Sequence, residues 1–327
     1  MTTALQDQVA LYRTLPAEQR QEIAGLADAE TRAALAWAER QMAIERSPGS
    51  MAAALTGGRE WQARHLDLID KAFVRIANGE RMRVLLNMPP RHGKSARAAR
   101  WAPLWYLARH PHHRVMIASY AAKLAEGHGR WIRDSIKEFG PQIGIQLRYG
   151  SMAANRFDLA GTAGGLVTAG VGGSLTGMGA DVAIVDDPLK DAKDADSLVK
   201  LANLWDWWQQ VINTRMEPNG SIVVIQTRWA QNDLAGRILQ DGADGWTVLN
   251  LPAIAMTEGD PLGRAVGEPL WPERFRRKHL NRFKKDVGER GWWALYQQEP
   301  RPLEGGVWKW PWITNNRITA QAFRGVD

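Results

Sequence analysis

Apolar positions three and four apart, Leu35, Ala38 and Met42 among them, run through a segment rich in Ala, Glu, Gln and Arg and predict helix over residues 16–46. The run Ser47-Pro48-Gly49-Ser50, with Gly57-Gly58 soon after, reads as punctuation and a boundary. A second helix is predicted over 59–78, with Trp61, Leu68, Ile69 and Ala72 on one face and Asn78-Gly79 as its stop. From there the pattern changes. Short apolar blocks at 84–88, 114–119, 165–169, 182–185, 221–226 and 246–251 alternate with helical segments that run to about 109, over 121–139 and over 197–213. Blocks that are apolar throughout suit strands buried on both faces, so the expected fold is α/β, a mainly parallel sheet flanked by helices. Past Pro252, Pro261, Pro269, Pro272, Pro300 and Pro302 interrupt short helices, of which 273–288 is the most basic. The expected organisation is a helical N-terminal arm (1–58), a core (59–252) and a small C-terminal lid subdomain and linker (253–327).

Composition narrows the class. The 327 residues are 45% hydrophobic and 24% charged, enough apolar content for a sizeable core and an ordinary charge density. Cysteine is absent, which excludes disulfides and thiolate metal sites. No apolar stretch approaches the ~18 residues of a membrane span, and the N-terminus lacks the layout of a secretory signal. A soluble intracellular protein without membrane partners is the plain expectation. The net charge of +7 is uneven: residues 59–150 carry 17 Lys and Arg against 7 acids, whereas 151–250 carry 7 against 12. A basic stretch followed by an acidic one suits polyphosphate handling in the first and divalent metal in the second, and the basic balance favours nucleic acid as partner. An ordinary solvated surface explains the same charges equally well.

Three motifs carry chemistry. Gly93-Lys94-Ser95 follows an apolar strand and precedes a helix, the context of a phosphate-binding loop. There, backbone N–H groups cradle phosphate oxygens, the lysine reaches the terminal phosphates and the hydroxyl ligates Mg²⁺. The usual pattern has glycine where this chain has Met88. The second motif is the strand Asp181-Val182-Ala183-Ile184-Val185-Asp186-Asp187, which ends in two carboxylates. In phosphate-loop NTPases such a strand supplies one acid to the metal, here Asp186, and one that orients the attacking water, here Asp187. Asp-Asp-Pro is also good turn chemistry. Third, a buried strand ends in Gln226-Thr227-Arg228-Trp229 and places a hydroxyl where a γ-phosphate can be sensed.

Pro89-Pro90-Arg91-His92-Gly93-Lys94-Ser95, Asp186-Asp187-Pro188, Thr227-Arg228-Trp229 and Ala294-Leu295-Tyr296-Gln297-Gln298-Glu299-Pro300 occur in an order and spacing that resembles the large subunits of tailed-phage terminases over roughly residues 59–305. The resemblance implies a P-loop NTPase core of the additional-strand, RecA-like type that hydrolyses ATP with Mg²⁺. It also implies a homo-oligomeric ring on a portal protein, a monomer when isolated, a small terminase subunit as partner, and translocation of double-stranded DNA into a capsid in the host cytoplasm. Carried onto this chain, Pro90, Arg91, His92, Gly93, Lys94 and Ser95 line the nucleotide, with Ser95 and Asp186 on the metal. Arg91 matches an arginine that contacts the γ-phosphate in cis, and Thr227 matches the coupling motif. Asp187 stands where the family more often has a catalytic glutamate. Gln62 falls in the region where the family recognises adenine, and His92 is expected to be structural or to contribute its backbone. Arg130 and Arg133 are the candidates for an arginine acting in trans, with a salt bridge to Glu126 or Asp134 as the plain alternative.

Family members usually add a nuclease domain after the motor. After Pro302 only Glu304 and Asp327 are acidic, so no three-carboxylate site can be assembled there and no nuclease activity is expected of this chain. Sixteen tryptophans against six phenylalanines, with Trp205, Trp207 and Trp208 clustered, are expected to pack in the core. The glycine-rich run 170–179 suits phosphate contact or a turn between strands, and the basic segment 274–285 suits DNA contact or a solvated helix face. A helicase-like DNA-dependent ATPase shares all three motifs and is the main alternative. A small-molecule kinase and an assembly subunit with an inactive nucleotide site are the others.

Overall fold

The computed structural model describes residues 3–173 and 177–301. The middle of the glycine-rich run, and Pro302, Glu304 and Asp327 on which the expected absence of a nuclease site rests, lie outside the described residues.

The N-terminal arm holds helices α1 (Thr3–Thr14), α2 (Ala17–Leu26) and α3 (Ala29–Arg46). The single helix expected over 16–46 is broken because Ala27 is extended and Asp28 restarts the chain as an N-cap, its carboxylate accepting from Thr31 N at 2.8 Å. Val9, Tyr12, Leu35 and Ala38 form a small core of their own. The boundary expected at 47–58 is a further helix, α4 (Pro48–Thr56). Ser47 caps it by accepting from Ser50 N, Pro48 occupies its first turn, and Gly57 closes it at φ 63°. The residues that look like breakers are the helix's own start and stop signals. Helix α5 (Arg64–Ala77) begins after Trp61 and buries Leu66, Ile69, Phe73 and Ile76.

Eight strands form one sheet: β1 (Arg83–Asn87), β2 (Arg114–Ser119), β3 (Leu147–Met152), β4 (Arg156–Leu159), β5 (Gly165–Gly170), β6 (Ala180–Asp186), β7 (Met216–Gln226) and β8 (Trp246–Asn250). Their order is β3-β4-β5-β2-β6-β7-β1-β8. The run from β5 to β8 is parallel, and β4 pairs antiparallel with both β3 and β5. The β3–β4 edge escaped the sequence pattern because β3 is polar and largely exposed, with Tyr149 at 95%, and β4 is only four residues long with Asp158 between its two buried apolar residues. Strand β7 lies between β1 and β6, and Ile225 stands level with both Leu86 and Asp186. That register brings the ends of the three strands to one height.

The strands' period of two sorts the core. Val84, Leu86, Ile117, Ile184 and Ile225 face α5, α7 (Ala102–Arg109) and α8 (Ala122–Ile143). Leu85, Met116, Ala183, Val185 and Val224 face α10 (Leu198–Trp207) and α11 (Leu234–Gln240) on the other side. Trp101, Trp105, Trp207, Trp208, Trp271 and Trp292 are buried, whereas Trp61 is 58% exposed. A short helix α6 (Lys94–Ala96) passes through a π-turn (Arg97–Trp101) into α7, and α9 (Ala192–Ala195) precedes α10. After β8 the chain forms a smaller unit with helix α12 (Arg277–Gly291) around Ala253, Ile254, Leu280 and Trp292. Gln297 ties it together by bonding both backbone groups of Ile254 at 3.2 Å.

Candidate functional site

Three neighbouring strands end together and deliver the charged residues. After β1, the buried Met88 bonds back to Gln226 O, and the chain turns through residues 89–93 into α6. The turn needs left-handed backbone at Arg91 (φ 66°) and Gly93 (φ 86°). Glycine accepts that conformation freely, while Arg91 holds it under strain. Lys94 opens the helix and is 6% exposed. Its Nζ donates to Thr227 Oγ1 at 2.8 Å and pairs with Asp187 Oδ2 at 3.1 Å. The next residue, Ser95, donates its hydroxyl to Asp186 Oδ1 at 2.9 Å.

The strand-end carboxylates have different surroundings. Asp186 is buried at the end of β6, with Ser95 on one oxygen. Its other oxygen lies 3.0 Å from Nε2 of His128 on α8, off the line of a good hydrogen bond. Arg100 Nε donates to His128 Nδ1 at 3.1 Å, so a neutral imidazole carries its proton on Nε2, facing Asp186. Asp187 takes a left-handed conformation (φ 45°), donates its N–H to Ile225 O and accepts from Thr227 N at 2.8 Å. Burial pushes the Asp187 carboxyl up from its usual range, Lys94 opposes the rise and Asp186 adds to it.

Thr227 joins these groups to β7, and its hydroxyl also reaches Met88 O at 3.4 Å. Arg228 beside it points elsewhere: its Nε bonds both oxygens of the buried Asp233 at 2.9 and 3.0 Å, and Asp233 in turn caps α11 through Gly236 N. Gln298, the third non-glycine residue at positive φ, accepts from Arg228 N at 3.1 Å and links the C-terminal unit to this edge.

The candidates therefore divide. Lys94, Ser95, Asp186, Asp187 and Thr227 come together at one end of the sheet in two bonded sets, Lys94 with Thr227 and Asp187, and Ser95 with Asp186. Arg91 is exposed on the loop, with Pro90 half-buried beside it. The His92 ring is 1% exposed, 4.6 Å from the Phe275 ring, with Nδ1 on Pro90 O and its own carbonyl bonded to His65 Nε2. Burial lowers His92 to about 3, so it is neutral. Gln62 lies in a polar knot: its amide donates to Asp67 and Asp70, and its oxygen accepts from Arg97 at 2.8 Å. Arg97 itself pairs with Asp70 at 2.6 Å, and a side chain at Gly49 would collide with all three groups. Of the two helix-α8 arginines, Arg133 is paired with Asp134, and Arg130 is exposed. His128 and Arg100 were not found from sequence, since neither belongs to a local motif and only the packing of α8 on the π-turn brings them to Asp186.

A cleft of about 780 Å³ lies at the opposite edge of the sheet among Tyr106, His113, Asp181, Glu217 and Asn219. A smaller one, about 310 Å³, adjoins Gly93 and Ala96.

The family model for the terminase large subunit, T4-like-virus type, N-terminal region, matches residues 85–315. The chain belongs to that family. It is also similar to the large terminase of bacteriophage HK97, at 11% identity and a TM-score of 0.44, over 70% of this chain and 50% of that one. The ATPase domain of the large terminase of Thermus phage P74-26 matches at 14% identity and a TM-score of 0.46, over 77% of this chain and 98% of that one. The chain spans about half the length of the HK97 protein. No curated protein matches it.

Proposed function

We propose that this chain is the motor portion of a DNA-packaging terminase, a P-loop NTPase of the additional-strand, RecA-like type that hydrolyses ATP to move double-stranded DNA into a capsid. The observation that carries this is the convergence of Lys94, Ser95, Asp186, Asp187 and Thr227 at one sheet edge. The strand β7, inserted between β1 and β6, supports the additional-strand assignment.

The donor set fits Mg²⁺. Ser95 and Asp186 offer hard oxygens side by side, and no cluster of three or more His, Asp or Glu that could hold a metal occurs among the described residues. Mg²⁺ takes few protein ligands and completes its shell with water and phosphate. Once bound, the ion neutralises charge on the β- and γ-phosphates. The backbone N–H groups around Gly93 and Lys94 hold the phosphates at the helix start. Lys94, now shared between Asp187 and Thr227, is drawn to the phosphates, which leaves the Asp187 carboxylate to orient the attacking water. Arg91 reaches the γ-phosphate from the loop. Thr227 registers the departure of Lys94 and passes it to Arg228 and, through Gln298, to the C-terminal unit.

The arm, core and C-terminal unit are assigned to residues 1–58, 59–252 and 253–327. In an assembled ring on a portal protein, Arg130 is the better placed of the two candidates to act on a neighbour, because Arg133 is already paired. Contacts to the DNA backbone come from the exposed basic residues 274–285, and a small terminase subunit and the host cytoplasm complete the setting. The experiment is steady-state ATP hydrolysis with and without duplex DNA. Stimulation by duplexes of unrelated sequence, falling steeply with salt, is expected. Strand displacement, or hydrolysis indifferent to DNA, rejects the packaging motor.

A further inference from the structure

The first turn of α5 packs against the loop 89–93. His65, 0% exposed, directs its ring Nε2 at the carbonyl of His92, 2.8 Å away. A carbonyl can only accept, so the His65 proton is on Nε2. Its neighbour Leu66 packs against Gly93, where an added Cβ would meet Leu66 Cδ2 at 3.3 Å. The His65 ring is held in turn by Trp271, edge-on at 5.1 Å. His92 pins the start of the loop in the same way, with its Nδ1 proton on Pro90 O at 2.9 Å. These two bonds set which way the loop's N–H groups point. The described peptide bonds are all trans, and in a trans peptide the C=O and the N–H that follows it point in opposite directions. Drawing His92 O toward α5 turns the Gly93 N–H away from α5, and holding Pro90 O turns the Arg91 N–H away from the His92 ring. No backbone carbonyl of the described residues accepts from either N–H. With left-handed backbone at Arg91 and Gly93, such N–H groups form a concavity that takes anions. Nothing in residue 93 itself preserves the arrangement. Glycine adopts both signs of φ, so the 92–93 peptide can turn over at little cost. Turned over, it presents a carbonyl oxygen where the N–H had been, and that oxygen repels a phosphate.

We infer that His65 is a positioning residue for the phosphate site: its Nε2–H fixes the 92–93 peptide so that the Gly93 N–H faces the polyphosphate before any ligand arrives. The inference rests on the phosphate-loop function proposed above. His65 touches no ligand and acts only through the loop backbone. Its effect follows from populations, because a loop competent for only a tenth of the time binds about tenfold more weakly.

The test uses the full chain and a fluorescent ADP analogue displaced by ATP and by inorganic tripolyphosphate, with the thermal midpoint of each variant recorded beside it. His65→Phe keeps an aromatic ring against Trp271 and removes the donor. Both ligands should then bind about tenfold more weakly, the scale of a lost buried hydrogen bond. His65→Gln keeps an N–H of similar reach and should bring both affinities back to within about threefold of the original. Unchanged affinities in His65→Phe overturn the assignment. So do equal losses in the Phe and Gln variants that follow the thermal midpoint, since they mark His65 as packing alone. A readout without substitution is the nitrogen spectrum of the histidine-labelled chain, where His65 should carry its proton on Nε2 with and without tripolyphosphate. A proton on Nδ1 overturns the assignment too. If the original chain binds neither ligand, the phosphate-loop function itself falls. If it binds both and His65→Phe does so equally well, the phosphate loop stands and only the role of His65 is lost.

Discussion

The two edges of the sheet hold their polar groups in different ways. At the edge where β1, β6 and β7 end, Lys94, Asp186 and Thr227 are each under 10% exposed and are satisfied by side chains of the same edge, Lys94 by Thr227 and Asp187, and Asp186 by Ser95. Two residues there, Arg91 and Asp187, sit at positive φ. At the opposite edge a cleft of about 780 Å³ is lined by more open groups, Tyr106 bonded to His113 at 2.7 Å and Asp181 accepting from the Arg114 backbone at 2.7 Å, with the His113 and Asp181 side chains 41% and 29% exposed and 4.0 Å apart. On the function proposed above, cavity size points away from the site. Mutually dependent buried charges on strained backbone mark a working site better than open volume, because such an arrangement costs stability that packing alone does not require.

The largest effect should come from breaking the first edge at its centre. Lys94→Ala removes the cation proposed to face the terminal phosphates and should lower ATP turnover by ~10³-fold or more, the scale of losing a charge on a transferring phosphoryl group. His113→Ala at the other edge should leave turnover within a factor of about two, as expected of a group outside the site. Equal losses in the two variants would erase the distinction between the edges.

The acid pair sharpens the contrast within the working edge. Asp186→Ala should weaken Mg²⁺-dependent nucleotide binding, while Asp187→Ala should bind nucleotide and slow hydrolysis by roughly a hundredfold or more. A ligand that acts in the ground state alters binding, whereas a group that orients water acts at the transition state. The reverse pattern in equilibrium titration and single-turnover rates would exchange the two roles.

A smaller effect is expected from His128, whose Nε2 lies 3.0 Å from the Asp186 carboxylate. Outer partners of a metal ligand are commonly worth about tenfold or more in metal affinity. His128→Ala should therefore raise the Mg²⁺ concentration for half-maximal rate by about tenfold. His128→Asn, which keeps an N–H donor, should recover part of it. No change in Mg²⁺ dependence would reduce His128 to a packing residue.

How much of this could be read beforehand follows sequence separation. The segments 87–95, 181–187 and 222–228 each carry their chemistry within a few consecutive residues, and an apolar strand marks where each one ends. Neighbouring strands in a parallel sheet then bring those ends together. The Gln62–Asp70–Arg97 knot joins residues up to 35 apart, and the Arg100–His128–Asp186 chain up to 58, with no periodic signature. Helix α4 was read as a break because Ser47, Pro48 and Gly57 are both breakers and caps. The β3–β4 edge carries no apolar run to announce it. Propensity and period locate elements whose one face is buried. They are silent on polar contacts that only tertiary packing creates.

The smallest effect concerns stability rather than rate. Burial beneath the loop 89–93 lowers both His92 and His65, His92 to about 3. An unfolded histidine titrates near 6.5. The depressed value means that His92 favours the folded state fully above the unfolded value and withdraws that support as the pH falls toward 3. Between pH 8 and pH 5 the loss from His92 amounts to about 2 kcal/mol, enough to lower the thermal midpoint by roughly 4 °C. His92→Phe keeps an aromatic ring against Phe275, which lies 4.6 Å away, but cannot take a proton. Its midpoint should be lower at pH 8, where the bond from Nδ1 to Pro90 O is missing, and should fall less on acidification. Parallel pH profiles for the two proteins, followed by circular dichroism at matched ionic strength, would show that the acid sensitivity arises elsewhere in the chain.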